Sequence, residues 1–266
     1  MALPLGLERT WLYRRFIMGS VVQEVRARYA GSLLGTLWAL LQPLSLIGIY
    51  SIVFSSIMRP GLEGGDHPLS YTIFLCSGLL LWMFFVELLS NTTNIFVRNG
   101  GLLKKVNFPR LTLPIITLLS ALLNYAIIMA IFFLLLLVAG APLSWALLYI
   151  PLVVLVTAGF AIGLGLAFAT INVYYRDVAQ LLAIITQLWF WLTPVVYPMS
   201  VVPERFHWLL AWNPIVPLVE AMHVMFLAGT KPDFSAIIAP SVFMLLSLAL
   251  GVLVYFRLGA DMTDEL

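Results

Sequence analysis

The sequence predicts an all-α polytopic membrane protein: six transmembrane helices, an N-terminal amphipathic interfacial helix, and a re-entrant helix pair before the last span. Three observations predict it. Of the 266 residues, 62% are hydrophobic and only 10% are charged, where soluble domains carry about 25% charged residues. That leaves too little polar surface to coat a water-soluble globule, and it excludes an ordinary soluble enzyme, a disordered chain and a nucleic-acid binder. The few charges are clustered, leaving uncharged gaps long enough to cross a hydrocarbon core of about 30 Å. Lysine and arginine are also shared unevenly between the two sides those gaps define. The single cysteine, Cys76, excludes a disulfide framework and a cysteine-rich metal site.

A charged side chain at the bilayer centre costs roughly 2.5–3.5 kcal/mol on insertion scales, so the gaps between charges locate the spans. Between Arg28 and Arg59 lie 30 uncharged residues, 29–58, the first span. Between Asp66 and Glu87 lie 20, with the apolar pattern running on to Val97, the second. Between Arg110 and Arg176 lie 65, too many for one helix, and Gly140-Ala141-Pro142 divides them into a third and a fourth span. The 26 residues between Asp177 and Glu204 hold the fifth, and the 23 between Asp233 and Arg257 the sixth.

The stretch 203–233 differs. Its uncharged runs, 206–219 and 221–230, have 14 and 10 residues and are punctuated by Asn213-Pro214 and Pro217. Segments this short read as re-entrant or interfacial helices rather than spans; one kinked span is the alternative and would reverse the C-terminus. With six spans, 11 of the 14 Lys and Arg residues fall on one side and Arg59, Arg205 and Lys231 on the other. The positive-inside rule then places both termini in the cytoplasm. The N-terminus is not expected to be a cleaved signal, because its first apolar run is too long and begins after many charges.

Residues 8–29 can form an amphipathic helix with Trp11, Met18, Val22, Val25 and Tyr29 on one face and Arg15, Gly19, Gln23 and Arg26 toward the other. Such a helix rests in the headgroup plane beside anionic lipid; a purely topogenic basic tail is the alternative. The loop 98–110 is basic and allows one to two helical turns before Phe108-Pro109 stops them. Leu102, Leu103, Val106 and Phe108 on it need burial, either in a partner protein or in lipid. At Arg176-Asp177 the two charges can pair with each other, touch a partner, or leave Asp177 to cap the fifth span.

Together these motifs resemble a known family. Trp82-Met83-Phe84-Phe85, then Arg98-Asn99 through Lys104-Lys105-Val106-Asn107-Phe108-Pro109-Arg110, is similar to the permease subunit of polysaccharide ABC exporters. Tyr175-Arg176-Asp177-Val178, Thr193-Pro194-Val195-Val196-Tyr197-Pro198 and Asn213-Pro214 follow in the same order. This is the Wzm-like group that exports O-antigen, capsule and teichoic-acid polymers, and the resemblance covers essentially the whole chain. It implies a single permease domain over 1–266 working as a homodimer with two copies of an ATPase subunit. The implied cargo is an undecaprenyl-linked polysaccharide, and the implied location is the bacterial inner membrane. It further implies a coupling loop, 98–110, in which Asn99, Leu102, Leu103, Lys104, Lys105 and Phe108 meet the ATPase together with Arg176 and Asp177. The region 203–233 would be an outer gate that includes Asn213 and Glu220. His223 departs from the family pattern, where a basic residue often follows the acidic one.

No G-x-x-x-x-G-K-[ST] loop occurs, and none of the three lysines (Lys104, Lys105, Lys231) follows a glycine. ATP and magnesium therefore belong to the partner subunit, with no cofactor expected in this chain. No carboxylate pair or histidine cluster suits catalysis or a metal, so no catalytic or metal-binding residue is expected. Glu87 is the only ionisable residue inside a predicted span, which weakens the reading as a proton-coupled secondary carrier. A drug-efflux permease of the same architecture is the closer rival; a membrane-embedded glycan-processing enzyme ranks last. Interface belts explain Trp38 and Trp145 but not Trp82, Trp189 and Trp191, which are expected near mid-span. These rings either pack against neighbouring helices or line a path along which sugar rings stack. Trp82, Phe85, Trp189 and Tyr197 are the candidates for that path.

Overall fold

The computed structural model describes residues 13–29, 41, 45, 70–105, 109–141, 143–259 and 262–265. All of the first predicted span but residues 29, 41 and 45 lies outside the described residues, as do Trp11, Trp38, Phe108 and Pro142. What is described is all-helical. A helix α1 (Arg14–Tyr29) precedes the long helix α2 (Ser70–Thr93). Two short helices, α3 (Ile95–Arg98) and α4 (Gly100–Lys105), continue α2 with bends at Asn94 and Asn99. Each of these asparagines turns its Nδ2 back onto the carbonyl four residues earlier, Ser90 at 3.0 Å and Ile95 at 2.8 Å. Local bonds of this kind compete with the helical ladder and mark where it breaks.

The chain then climbs α5 (Thr112–Val138), turns through a single 3-10 turn, Trp145–Tyr149, and descends α6 (Ile150–Tyr174). Helix α7 (Asp177–Trp191) follows, then the short α8 (His207–Ala211) and α9 (Val216–His223). A π-helical turn, Val224–Ala228, leads to α10 (Phe234–Leu258) and the short α11 (Met262–Glu265). Among the described residues four helical segments are long and apolar enough to cross a bilayer: α2, α5, Trp145–Tyr174 and α10. The stretch 203–233 holds a helix pair, Glu204–Ala211 and Val216–Ala228, bent by 106°, a bend that fits either the expected re-entrant pair or one broken span.

The fifth predicted span departs from expectation. It is helical for only 15 residues, about 22 Å at 1.5 Å per residue, which is less than a hydrocarbon thickness. Trp189 and Trp191 therefore sit at the end of α7, not near the middle of a span.

Helix α2 is the hub. Leu75, Leu81, Phe85, Leu88 and Leu89 on it are wholly buried, and α5, α6 and α9 pack around it. Between apolar helices in an apolar solvent the hydrophobic effect supplies no attraction, so close backbone approach and dispersion must hold them. Helices α6 and α10 meet in this way. Gly163 faces the backbone of Ser247 and Leu248, Gly251 faces the carbonyl of Gly163, and Ser247 Oγ donates to Phe160 O at 3.3 Å.

The segment ends gather at two poles. At one, Arg110 Nη1 donates to Gly259 O at 2.5 Å and Tyr174 Oη to Leu258 O at 2.6 Å. Both bonds satisfy carbonyls left over at the C-terminus of α10. At the other pole Ser144 Oγ donates to Gly229 O at 2.5 Å. Gly229 closes the π-helical turn at φ 62°, a left-handed conformation that favours glycine. Helix α10 then opens with Asp233, whose carboxylate accepts from the hydroxyl and amide of Ser235, and these bonds hold its pKa below the usual carboxylate value.

A Cβ on Gly163 would collide with backbone rather than with a movable side chain. Gly163→Ala should therefore force α6 and α10 apart and destabilise the protein by about 1–3 kcal/mol. Gly101, with nothing within 4 Å of its Cβ position, supplies the control. Thermal unfolding in detergent should show a lower midpoint for Gly163→Ala and little change for Gly101→Ala; equal midpoints would contradict the packing described.

Candidate functional site: a docking pole and an asparagine-braced re-entrant pair

The first pole brings together α3, α4, the start of α5, the turn at Tyr175, and α11. Its core is Ile95, Phe96, Leu103, Leu113, Leu166, Ala169, Val173 and Met262. Two members of the predicted coupling set thus face opposite ways. Leu103 is buried in this cluster and holds the pole together, whereas Leu102, Lys104 and Lys105 are exposed. Asn99 is spent on the bend, through its bond to Ile95 O. Arg176 and Asp177 are exposed, and no ion pair joins them among the described residues.

The cap of α7 does not come from Asp177, which occupies the first helical position and makes no side-chain cap bond. Asn172 supplies it instead. Its Oδ1 accepts from Ala179 N at 3.2 Å while its Nδ2 donates to Thr93 O at 3.2 Å. One buried amide therefore ties the end of α2 to the start of α7. Sequence reasoning missed Asn172, and its signal was available: an uncharged polar residue one turn before the end of an apolar span.

Helix α1 turns Ile17 and Val21 onto Ile116 of α5, leaving Met18 and Val22 exposed. These two residues of the apolar stripe expected from helical spacing thus do not pack on the described protein. Glu24, the single acid in α1, was also missed in the sequence. Its Oε1 lies 3.0 Å from Arg98 Nη2, and its Oε2 accepts from Ser120 Oγ at 2.9 Å.

The second feature lies where α7 stops. After Trp191 the chain continues without regular helix to Pro198, and Tyr71 Oη at the start of α2 donates to Val196 O at 3.1 Å. Irregular backbone at membrane depth is tolerated only where protein covers it and satisfies its polar groups. Both conditions hold, since Thr193, Pro194, Val195 and Val196 are buried. Asn213, at the bend of the re-entrant pair, donates to Leu192 O at 3.2 Å and to Thr193 Oγ1 at 2.9 Å. Its Oδ1 accepts from Trp189 Nε1 and from Ile215 N, both at 3.0 Å. All the hydrogen-bonding groups of one amide are used.

The four aromatic candidates separate. Trp82 is buried and Phe85 completely so, while Trp189 and Tyr197 are half-buried. Trp189 meets Trp82 edge-on at 6.4 Å and Phe85 at 5.4 Å, and Phe85 stacks on Phe160 at 5.9 Å. Tyr197 Oη donates to Trp191 O at 2.8 Å. Glu220 is half-buried on α9. His223, one turn on, does not pair with it: the ring stacks on Phe74 at 3.9 Å, and its Nε2 is buried without a hydrogen-bond partner, above Gly78. Glu87 accepts a hydrogen bond from Asn124 Nδ2 at 2.9 Å. Among the described residues no group of three His, Cys, Asp or Glu side chains is placed to hold a metal ion.

Replacing Asn213 by alanine would strand the Leu192 carbonyl and the Trp189 indole N–H inside the protein. Such a loss costs about 1–3 kcal/mol for each buried group left unpaired. The Asn213→Ala protein should unfold at a clearly lower temperature than native protein, and more so than Ala replacement of the exposed Trp212. Equal midpoints would mean that Asn213 does not brace the pair.

Comparison with known proteins agrees with this architecture. The family model for the ABC-2 type transporter matches residues 17–227. The chain is 30% identical over 210 residues to an O-antigen export system permease protein RfbA of Klebsiella pneumoniae, covering 78% of each chain. It is 31% identical over 229 residues to the protein of the same name from Myxococcus xanthus, covering 85% of this chain and 86% of that one. It is 25% identical over 248 residues to the polysialic acid transport protein KpsM of Escherichia coli, covering 88% and 90%. With its apolar spans and a family match over most of its length, this multi-pass membrane protein belongs to the ABC-2 type transporter family.

Proposed function

We propose that this chain is the membrane subunit of an ATP-driven exporter that moves a lipid-linked polysaccharide of the O-antigen, capsule or teichoic-acid type out of the cytoplasm. The observation that carries the reading is similarity over more than three-quarters of the chain to permeases named for O-antigen and polysialic acid transport. It operates in the bacterial inner membrane. Six spans, with 29–58 as the first, put both termini in the cytoplasm. The exposed pole residues support that orientation, because Lys104, Lys105, Arg176 and Arg257 share one end of the bundle while Arg205 and Lys231 lie beyond α7 toward the other.

The chain works as a homodimer. Helix α7 supports this: Leu181, Ile184, Ile185 and Leu188 are exposed beside Gln180 and Gln187. A helix too short to span, carrying two uncovered amides, is better placed against a second copy than in lipid. Two ATPase subunits dock at the pole on α4 and the Arg176-Asp177 turn. They hold ATP and magnesium; this chain supplies the surface they push. Trp189 and Tyr197, half-buried at the end of α7, are the rings that meet sugar, and Trp82 and Phe85 support them from behind. The gate is the bent pair braced by Asn213. Neutral rings whose C–H faces stack weakly at several places let a polymer slide rather than lodge.

The opposite orientations of the two leucines on α4 make docking testable. Leu102→Asp combined with Lys104→Glu and Lys105→Glu should leave the permease folded yet lower its capture of the partner ATPase by about tenfold or more. Leu103→Asp should instead lower the amount of folded permease, since it buries a charge. Affinity capture from detergent-solubilised membranes, beside size-exclusion profiles, reads both. Native capture by the triple variant would refute docking at this pole.

A further inference from the structure

The sequence reading assigned Glu24 nothing and the proposed function does not use it, yet its carboxylate is shared between two other elements. One oxygen meets Arg98, the last residue of α3 and the one just before the bend into the docking helix α4. The other accepts from Ser120 on α5. Elsewhere α1 is held by apolar contact, Ile17 and Val21 on Ile116 with Ile115 and Leu119 alongside. Toward α3 and α4 that packing thins to Tyr13, just before α1, which lies against the core of the pole that holds Ile95, Phe96 and Leu103. A cavity of about 840 Å³ opens there, lined in part by Ser20, Gln23, Asn91, Asn99, Leu102 and Thr117. Glu24 and Arg98 both border it.

From this geometry we propose that Glu24 is a positioning residue, a strut that ties the interfacial helix to the docking helix so that the two move together when the ATPase pushes. The inference rests on the proposed docking of the ATPase at α4. Apolar contact is non-directional and lets helices slide. A charge-assisted hydrogen bond fixes both a distance and a direction. The pair is too exposed to matter much for stability, with 49% of the Arg98 side chain and 23% of that of Glu24 accessible. Its value lies in transmission. At this end of α1 the bond borders a cavity and is the directional tie beside the apolar contact of Tyr13, so displacement of α4 reaches α1 with a fixed distance and direction through it. The Ser120 hydroxyl keeps the carboxylate aimed. Motion of α1 would in turn reshape the cavity wall at the cytoplasmic end of the bundle.

A charge exchange tests the strut in the complete exporter, in cells carrying the partner ATPase. Glu24→Arg and Arg98→Glu singly should keep ATPase capture and ATP hydrolysis near native levels while surface glycan falls by about tenfold. The double exchange should restore most of the export. A merely structural role would show instead as loss of folded protein, without rescue. Should Glu24→Arg fail to fold, Glu24→Cys with Arg98→Cys takes its place: a short thiol-specific cross-linker should join the two and raise export above that of the uncross-linked pair. Native export by the single variants, a double exchange no better than either single, or cross-linking that fails or brings no recovery would each overturn the strut. If the native complex exports no glycan, the proposed function fails instead, so the two failures are distinguishable.

Discussion

In an apolar solvent a backbone N–H or C=O has no water to fall back on, and this constraint organises the protein. Regular helix meets it at no further cost, which accounts for the all-helical architecture. The informative places are those where helix stops. At four of them a short polar side chain takes over carbonyls and amides that the ladder releases: Asn94 and Asn99 at the bends after α2, Asn172 at the start of α7, and Asn213 where α7 ends. The tyrosine and arginine that close α10 do the same from neighbouring elements. Four asparagines thereby locate the bends from which the basic pole and the bent helix pair are built.

This economy explains how a half-length helix can serve a transporter. Helix α7 ends within the bundle, and the chain beyond it is irregular backbone that protein covers. Asn213 closes that segment against the bend of the re-entrant pair, while Trp189 lends its indole N–H to the same amide. The bent pair and the aromatic cluster are therefore one hydrogen-bonded unit. A movement of the bent pair cannot occur without disturbing Trp189, which touches Trp82 and Phe85 on the central helix. Polar bracing and aromatic packing act here as a single mechanical element.

Much of this was legible from charges alone. Gaps between ionisable residues located the helices of 70–93, 112–138, 145–174 and 234–258, because the cost of a charge in lipid is large compared with helix propensity. The break between the two short helices of 204–228 followed from two uncharged runs punctuated by Asn213-Pro214 and Pro217. The length of α7 was not legible: residues 192–203 are as apolar as a span, and nothing in their composition reveals that Asn213, twenty residues on, satisfies their backbone. Leu102 and Leu103 are indistinguishable as a pair of letters, and the direction of each follows only from the register that the Asn99 bend sets. Glu24 was read as part of a basic amphipathic segment, since its partners Arg98 and Ser120 lie 74 and 96 residues away. Distance in sequence hides such pairings even when each residue type is suggestive.

The central claim is that a separate motor drives this chain, which has no phosphate-gripping loop of its own. Reconstitution tests it most directly. The permease is placed in vesicles with lipid-linked glycan on the ATP-accessible side, with and without the purified partner ATPase, and glycan reaching the opposite side is measured. The account predicts movement only when the ATPase and ATP are both present. Accumulation of glycan against its gradient by the permease alone, at a rate the ATPase does not change, would contradict it.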